Sequence, residues 1–583
     1  MLLTSLSSSA TAFDVCVVGA GPVGLALAVE AADSGLQVLL VEAGAGTSTV
    51  APSDAALATV LDADRHAPLS ETTRHGIGGA SWLWGGRCVP FEPIDFTIRS
   101  HVPDSGWPIC GADVLPWQDR AAAHLDCGSA DFVTAPVDGW DDSVIRTSQQ
   151  ERWSRRPKLA RRLGAQVMAH PAVSVLTGAI ATDIRFNIDG SAVTGLVVRH
   201  RGRDVAVTAN VYALACGGLA TTRLLLSVQR GRPALFGGAE GRLGRCYMGH
   251  LTGSIAAIVL SRPADFGDWD FRRDADGTFV RRRFNLSEAA QREQQLLNTS
   301  FYLSNLPFHD FRHRNGALSV LALALAIPGL GRRLAGAETQ RRNTGPRLDG
   351  QHVRNVFNRP WRVVADLAGV VWLRFLSSPR RAVFVLPTDT GVYALRYHAE
   401  QVPHPHSRIT LNDDTGRDGL PGVDIDFRYT DQDVDSVVRA HEVLDQRLQA
   451  TGVGHLVYAH PAGHRGEAVM AQATDGYHQI GTTRMSADPA AGVVDGDCRV
   501  HGVSNLYISG SSVFPTAGEA NPTFMAVTLA VRLAHHLADR LLPLRTPRGR
   551  QPGPSTRTSA DMPARSVRRG WLSGAQGPRS QRC

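Results

Sequence analysis

The sequence lacks closely paired cysteines. Its eight cysteines stand at positions 16, 88, 110, 127, 216, 246, 498 and 583, and no two of them form a C-x-x-C pair. Several lie in apolar runs, such as Cys16 in "DVCVVG". This scatter disfavours a disulfide framework or a zinc site. It is typical of small core residues in a reducing compartment.

Long hydrophobic runs are also missing. The most apolar run, residues 317–327, has 11 residues and ends at Pro328, whereas a bilayer-spanning helix takes about 20. The N-terminus has neither a basic region nor a long apolar region of the kind found in secretory signals. We therefore expect a cytoplasmic protein without a transmembrane segment.

Acidic residues are scarce at the C-terminus. Residues 545–583 contain nine arginines and one acid, Asp561, while the whole chain has a formal charge of +7. The rest of the chain is therefore close to neutral. The segment is rich in Pro, Gly and Ser and has no apolar period, which predicts a disordered basic tail. Such a tail can touch nucleic acid or anionic lipid, but we favour a solubilising extension and expect no nucleic-acid partner.

The remaining composition is that of an ordinary globular protein. The chain has 583 residues, 43% of them apolar and 20% charged. This length is too great for one simple core, so two or more domains are expected.

The first motif predicts a dinucleotide site near the N-terminus. "FDVCVV" (13–18) has the pattern of a buried strand, and "GAGPVG" after it places Gly19, Gly21 and Gly24 in G-x-G-x-x-G spacing around Ala20. The first glycine permits a tight turn, the second lets a pyrophosphate approach the backbone, and the third lets helix and strand pack closely. The helix that follows would offer free N–H groups to the phosphates.

An acid completes this motif. "LQVLLVE" predicts a second strand that ends at Glu42, 18 residues after Gly24, where a carboxylate can bind the ribose hydroxyls. A carboxylate here disfavours the 2′-phosphate of NADP. The motif alone does not distinguish FAD from NAD.

Two further blocks are rich in glycine. "GIGGASWLWGGRC" (76–88) contains Gly79 and Ser81 in a loop with little helical or strand period, suited to bring backbone N–H groups against a flat polar group. Near the C-terminus, "NLYISGSSVFPTAGEANPTFMAV" predicts a strand and then a turn at Gly510 and Ser511. A helix would begin near Asn521, with a proline where a missing N–H costs nothing.

One histidine stands out in "GYHQIGTTRMS" (476–486). His478 precedes a Gly-Thr pair, but most lone histidines are structural residues of a loop or core. Taken alone, the motif assigns no chemistry to this ring.

Taken together, the blocks resemble the glucose–methanol–choline (GMC) family of flavin oxidoreductases. The most similar branch contains pyranose 2-oxidase, the bacterial glycoside 3-oxidases and the sugar dehydrogenase flavoprotein subunits. The resemblance covers most of residues 12–542 and is weakest between about 260 and 390. The blocks that carry it occur in the order of the family: "GAGPVGLAL…VE", "GGASWLWGG", "SGWPI", "GRCYMGH", "EQVPHPHSRITL", "HQIGTTRM" and "NLYISGSSVFPTAGEANPT".

The resemblance implies an α/β fold: a doubly wound, Rossmann-like FAD-binding domain with an inserted substrate domain built on a mostly antiparallel sheet with helices. The predicted FAD domain is discontinuous (12–250 and 476–542), and the substrate domain covers 251–475. Residues 394–413 would supply strands of the substrate-domain sheet, and 430–452 a helix.

The resemblance also assigns the site. It implies that His478 and Asn521 form the catalytic pair, with the histidine as base. A helix that starts beneath the flavin ring could stabilise the anionic reduced flavin with its N–H groups. The residues expected to bind FAD are Gly19, Ala20, Gly21, Gly24, Glu42, Gly79, Ser81, Gly510, Ser511, Pro522 and Thr523.

One residue departs from the pattern of the branch. Pyranose 2-oxidase carries a histidine that bonds covalently to the flavin, two positions after the serine of this loop. The matching residue here is Leu83, so we expect non-covalent FAD. Separately, we expect no bound metal.

The predicted reaction is oxidation of a CH–OH group of a sugar, glycoside or polyol to the carbonyl, by hydride transfer to flavin N5. Two alternatives stay open: the same chemistry on an aliphatic, aryl or sterol-like alcohol, and a non-catalytic flavoprotein. The apolar stretch 317–376 would suit a lid for a hydrophobic substrate, although we favour a buried helical pair. The electron acceptor (oxygen, a quinone or a redox protein) is open.

Overall fold

The computed structural model of the chain describes residues 2–3, 13–46, 58–327, 329, 340, 343–345, 349–381, 383–416 and 418–545. The predicted basic tail, 545–583, lies outside these residues except for Arg545, which ends a short helical turn. Among the described helices, none has both the length and the apolar character needed to cross a membrane.

A six-stranded parallel sheet forms around the predicted N-terminal strand. Its order from edge to edge is Leu2–Leu3, Val173–Thr177, Val38–Glu42, Phe13–Val18, Ala209–Leu214 and Leu506–Ile508. The strands at its centre are apolar and buried, as parallel strands usually are. Helices Pro22–Asp33 and Thr523–Leu541 pack against each other and complete this core. The predicted Rossmann-like unit is confirmed.

A second six-stranded sheet is antiparallel, also as predicted. Its order is Gly454–Tyr458, His250–Leu260, Val392–Glu400, Thr299–Ser304, Phe284–Leu286 and Ile145–Arg146. Helix Asp431–Ala450 packs on it through Val437 and Leu444. This helix was predicted over 430–452, and Thr430 and Asp433 cap its start reciprocally, which satisfies backbone N–H groups that have no partner within the helix.

One predicted strand lies in a different sheet. Of the segment 394–413, the part in Val392–Glu400 joins the antiparallel sheet. Strand Arg408–Thr415 instead pairs with Pro421–Asp426, which pairs in turn with Ala58–Val60. The placement of the whole segment in one sheet was therefore wrong. Seven residues between the strands, including Pro403 and Pro405, interrupt the extended run, because proline cannot donate to a strand ladder.

Two smaller sheets and the remaining helices complete the fold. One sheet contains Ala179–Phe186, Val193–His200 and Arg203–Val207; the other contains Arg272–Arg273, Phe279–Arg282, Gln150–Trp153 and Arg87–Cys88. The other α-helices are Leu69–Thr72, Gly111–Val114, Gln118–Leu125, Leu163–Ala169, Gly218–Gly231, Glu288–Glu293, Gly316–Ala326, Asp349–Asn358, Pro360–Val371 and Arg465–Gln472. Short 3₁₀ turns include Gly79–Trp82, Pro93–Phe96, Leu159–Arg161 and Ser511–Val513.

The first predicted FAD segment contributes to both large sheets. Strand Ile145–Arg146 lies within 12–250 but pairs with Phe284–Leu286 of the antiparallel sheet. The two sheets are thus joined through this early segment, and the domain boundaries stay a prediction.

The described part of the apolar stretch 317–376 forms helices with two different faces. Leu318 and Val370 pack in a small core with Leu386. On the outside, Phe357 is 74% and Trp361 is 73% exposed. The favoured interpretation, a buried helical pair, therefore fits only the inner face.

Candidate active site

The glycines of the turn after strand Phe13–Val18 have the backbone conformation and the close contacts that the motif predicts. Gly19 has a φ of +104°, a value that side chains other than glycine rarely adopt. A Cβ on Gly24 would lie 1.9 Å from the carbonyl oxygen of Gly19, so only glycine lets the helix start this close to the strand. A Cβ on Gly21, in contrast, would meet no atom within 4 Å. It would enter open space at the helix N-terminus, where a pyrophosphate fits.

Glu42 fastens the loops around this turn. Its Oε2 accepts a hydrogen bond from the backbone N–H of Ala20 at 2.8 Å, and its Oε1 accepts from Gly44 and Gly76 at 2.7 Å each. A carboxylate has about four acceptor positions, so one remains for the predicted bond to a ribose hydroxyl. The sequence predicts that bond, whereas the structure adds a role in holding the backbone.

The second glycine loop lies directly on the first. The backbone N–H of Gly78 donates to the carbonyl of Ala20 at 2.8 Å, and a Cβ on Gly79 would lie 2.8 Å from the Cα of Gly21. The buried hydroxyl of Ser81 donates to the Gly78 carbonyl at 2.6 Å. The predicted dinucleotide residues of the N-terminal half are thus brought together, and their open, glycine-lined cradle fits FAD.

A lysine that the motifs did not single out supports this loop. Lys158 is the single lysine of the sequence. Its Nζ donates to the carbonyl of Trp82 at 2.6 Å and lies within hydrogen-bond distance of the carbonyls of Ser81 and Trp84. Burial lowers the pKa of Lys158. The ammonium group therefore stabilises the loop that contains Leu83 through its contacts with these carbonyl groups.

His478 and Asn521 lie side by side, although 43 positions separate them. His478 Nε2 lies 2.9 Å from Asn521 Nδ2, and Arg87 Nη1 donates to Asn521 Oδ1 at 3.0 Å. Because the amide oxygen already accepts from Arg87, the amide NH₂ faces the histidine. Nε2 is therefore an acceptor, and the ring proton belongs on Nδ1. The predicted catalytic pair is brought together in a state that can accept a proton.

Asp475 fixes that tautomer. Its Oδ2 lies 2.9 Å from His478 Nδ1, and its Oδ1 accepts from the backbone N–H groups of Tyr477 and His478. Burial alone raises the pKa of Asp475, but the adjacent His478, together with His250 and its backbone N–H group, lowers it to about 2. An ionised carboxylate orients a catalytic imidazole in this way in many hydrolases. Asp475 was missed, although an acid three residues before the histidine was a visible signal.

Two more histidines line the same site. His250 Nδ1 lies 3.0 Å from His478 Nδ1, and the rings of His250 and His398 are 4.4 Å apart. Burial and neighbouring positive groups lower the pKa of His250 to about 3 and that of His398 well below its usual value. Both rings are therefore neutral at working pH. The ring nitrogens of the three histidines lie within 4.8 Å of one another, a spacing that a metal could bridge; the absence of a metal stays a prediction.

The predicted C-terminal cofactor residues are connected to the pair through its neighbours in the chain. Gly510 precedes the short turn Ser511–Val513, and the Ser511 hydroxyl donates to the carbonyl of Gln479 at 2.7 Å. This bond holds the residue that follows His478. Pro522 occupies the N-cap position of the helix that begins at Thr523, slightly earlier than the predicted first turn. Pro522 and Thr523 directly follow Asn521 in the chain, and the contacts of all these residues with FAD stay a prediction.

Arg87 joins the pair to a buried charged group. Its Nε donates a hydrogen bond to the carboxylate of Glu151 at 2.5 Å, and Arg281 forms an ion pair with the same carboxylate at 2.6 Å. Burial alone raises the pKa of Glu151, but Arg281 and Arg87 lower it to about 2. Arg87 lies within the quoted "WGGRC" block, yet nothing in that block indicates a contact with a residue 434 positions away.

Comparisons with known proteins agree with this geometry. The GMC oxidoreductase profile matches residues 403–530, and an FAD binding domain profile matches residues 14–236. The paromamine 6'-oxidase of Streptomyces fradiae is 24% identical, over 91% of this chain and 92% of its own length. The C-glycoside 3-oxidase of Microbacterium trichothecenolyticum is 32% identical over 31% of this chain and 37% of that protein.

Among solved structures, a formate oxidase superposes with a TM-score of 0.51 at 16% identity, covering 92% of this chain and 100% of that one. At this identity the likeness shows the fold alone. The two family profiles and the full-length relative indicate an FAD-binding oxidoreductase. The chain therefore belongs to the GMC oxidoreductase family and is an FAD-dependent enzyme that acts on the CH–OH group of its donors.

Proposed function

We propose that this enzyme oxidises a hydroxyl-rich alcohol, namely a sugar, glycoside or polyol, to the carbonyl. FAD, when bound, supplies the hydride acceptor. His478 accepts the hydroxyl proton at Nε2 while the Asn521 amide holds the same oxygen. The observation that carries the proposal is the arrangement of the pair: Asp475 keeps the proton on Nδ1, and Arg87 keeps the amide NH₂ toward Nε2.

The lining of the site supports a polar substrate. The residues around the pair are histidines, arginines, a buried glutamate and a tyrosine, and two relatives have names that contain a glycoside or an aminoglycoside sugar. Most exposed aromatic residues, such as Phe357 and Trp361, lie on the outer helices, and the exposed aromatic next to His478 in the chain is Tyr477, whose phenol is itself polar. An aliphatic or sterol-like alcohol would leave many of the polar groups in the site without partners.

Non-covalent FAD forms part of the proposal. Leu83 has no nucleophilic atom that could bond to the flavin. FAD would instead be held by the two glycine loops and by the N-termini of helices Pro22–Asp33 and Thr523–Leu541.

An anaerobic experiment tests the function. Purified holoenzyme is mixed with methyl glucosides, free hexoses, glycerol, benzyl alcohol and 1-hexanol, and the flavin absorbance is followed. Sugars or glycosides should bleach the flavin fastest, and His478→Ala should abolish the fast phase. Faster bleaching by hexanol or benzyl alcohol than by every sugar would contradict the substrate class.

A further inference from the structure

Three arginines converge on one tyrosine beside the catalytic pair. Tyr302 and Arg396 are directly opposite each other on neighbouring antiparallel strands, and Ser300 and His398 are the next such pair on that face. Because alternate residues of a strand point to the same side, Arg396 and Tyr302 share the face that carries His398. The His398 ring is 5.7 Å from the His478 ring, so this face borders the site.

Arg87 and Arg281 approach Tyr302 from outside its strand. Their guanidinium carbons lie 5.3 Å and 4.2 Å from the centre of the Tyr302 ring. Burial alone raises the pKa of Tyr302, but the positive charges of Arg396, Arg87 and Arg281 lower it overall. All three arginines therefore lie around the Tyr302 side chain. We call Arg87, Arg281, Tyr302 and Arg396 the arginine–tyrosine cluster.

The cluster has more positive charge than its surroundings neutralise. Arg87 and Arg281 share the single carboxylate of Glu151. The next acid, Glu519, already pairs with Arg283 at 2.6 Å. No ion pair among the described residues includes Arg396. Two positive charges in excess, close to a largely buried site, would be costly unless a negative group binds there.

The guanidinium that contacts Asn521 has an unused donor. Arg87 Nη2 is buried and has no hydrogen-bond partner among the described residues, while Nη1 of the same guanidinium donates to Asn521. Buried polar groups nearly always have a partner. The free donor is thus beside the amide that would hold the reacting oxygen, and a ligand there would satisfy it.

We propose that the arginine–tyrosine cluster binds an oxyanion, a carboxylate or a phosphate ester, carried by the alcohol substrate. Arg87 Nη2, the Tyr302 hydroxyl and the Arg396 guanidinium donate to it. Because Arg87 contacts Asn521 directly, the anionic group lies within one sugar ring of the oxidised carbon. The preferred substrates are then acidic sugars, such as glycosides of uronic acids or sugar phosphates. This inference rests on the proposed function and narrows its substrate class.

Matched substrates test the inference. Anaerobic bleaching rates of the holoenzyme are compared for methyl glucoside, methyl glucuronoside and glucose 6-phosphate as a function of concentration. An acidic sugar should show at least about tenfold higher reduction efficiency than the neutral one, the effect of one charge-assisted hydrogen bond. Comparison of methyl glucuronoside with glucose 6-phosphate shows whether the site prefers a carboxylate or a phosphate ester. Arg396→Gln should remove most of the preference, whereas Arg396→Lys should retain part of it.

Arg354→Gln is the matched control, because Arg354 is exposed on the outer helix Asp349–Asn358 and forms no ion pair with any described residue. It should leave the preference unchanged. Equal or faster bleaching by the neutral glucoside, with no change in Arg396→Gln, would overturn the inference and leave the proposed function intact. Bleaching by non-sugar alcohols alone would overturn the proposed function.

A binding measurement keeps the inference testable without turnover. Calorimetric titration of the holoenzyme with inorganic phosphate and with glucuronate should show a site that is lost in Arg396→Gln and retained in Arg354→Gln. If neither anion binds to the wild-type enzyme, the inference of an oxyanion site is overturned, even if the enzyme oxidises sugars.

Discussion

Arg87 Nη1 donates to Asn521 Oδ1 at 3.0 Å, and this bond decides which end of the Asn521 amide faces His478. With the oxygen occupied, the NH₂ group points to Nε2 and can also hold a substrate oxygen. A second contact, in which His478 Nδ1 donates to the carboxylate of Asp475, completes the alignment. The catalytic pair is therefore held from both sides by groups distant in sequence or outside the motif.

We expect His478→Ala to retain FAD but to slow flavin reduction by about 10²–10⁴-fold, the contribution of one positioned general base. Substrate affinity should change much less, because the interaction is made mainly in the transition state. The rise of the reduction rate with pH should disappear in this variant and persist in Asn521→Ala, since an amide does not titrate. Stopped-flow bleaching across a range of pH measures the reduction rate and its pH dependence. A wild-type rate in His478→Ala would show that His478 is not the base.

Asp475→Asn should slow reduction by about 10- to 100-fold, because an amide NH₂ can drive the imidazole proton to the wrong nitrogen. Because the pKa of Asp475 is about 2, its own protonation should not limit activity above about pH 3. Asp475→Glu should restore part of the rate. A purely structural role would lower FAD content in Asp475→Asn and leave the reduction rate per bound flavin unchanged.

Gly21→Val should yield protein that folds but binds little FAD. A Cβ at Gly21 meets no protein atom within 4 Å, so the dinucleotide is the obstacle that we expect a side chain there to meet. Gly369→Val is a matched control, because a Cβ there also meets nothing within 4 Å. Flavin absorbance per protein and the circular dichroism spectrum report the result. A yellow, active Gly21→Val enzyme would mean that the cradle is placed wrongly.

FAD should dissociate without cleavage of any bond, because Leu83 occupies the position at which the resemblance to pyranose 2-oxidase would imply covalent attachment. Precipitation with acid should leave the flavin in the supernatant, and added FAD should restore activity to protein from which it was removed at mild pH. The predicted result fails if fluorescence stays with the polypeptide on a denaturing gel.

His441 should make the unfolding free energy depend on pH. Its ring is buried between Phe301 and Tyr397, and burial, together with the positive charge of Arg465, lowers its pKa to about 4. Between about pH 6.5 and pH 4 the unfolded state binds a proton that the folded state does not, so stability falls as pH falls.

His441→Gln should make this fall shallower by up to about 1.4 kcal/mol per pH unit, the linkage of one proton. Urea unfolding of FAD-saturated protein from about pH 7.5 to about pH 4.5 measures the slope. His455→Gln is the control, because His455 is exposed on the strand Gly454–Tyr458. An unchanged slope in His441→Gln would show that another group dominates the acid response.

The site could be predicted from sequence only in part. His478 and Asn521 were assigned through the family resemblance, and both lie at the site. Asp475 could have been suspected from its spacing to His478. His250 and His398 could not, because they come from strands 228 and 80 positions away and meet His478 only through the pairing of the antiparallel sheet.

The sequence by itself determined the nucleotide cradle. A strand, a glycine turn and a helix follow one another within 21 residues, so Gly19 and Gly24 act on near neighbours and their sterics follow from local spacing. Only the tertiary structure decided what surrounds the histidine. The contacts of Arg87 with Asn521 and of Tyr302 with Arg396 depend on strand register and on the joining of two sheets. A strand's sequence fixes which residues share a face, but not which residues of another strand lie opposite them.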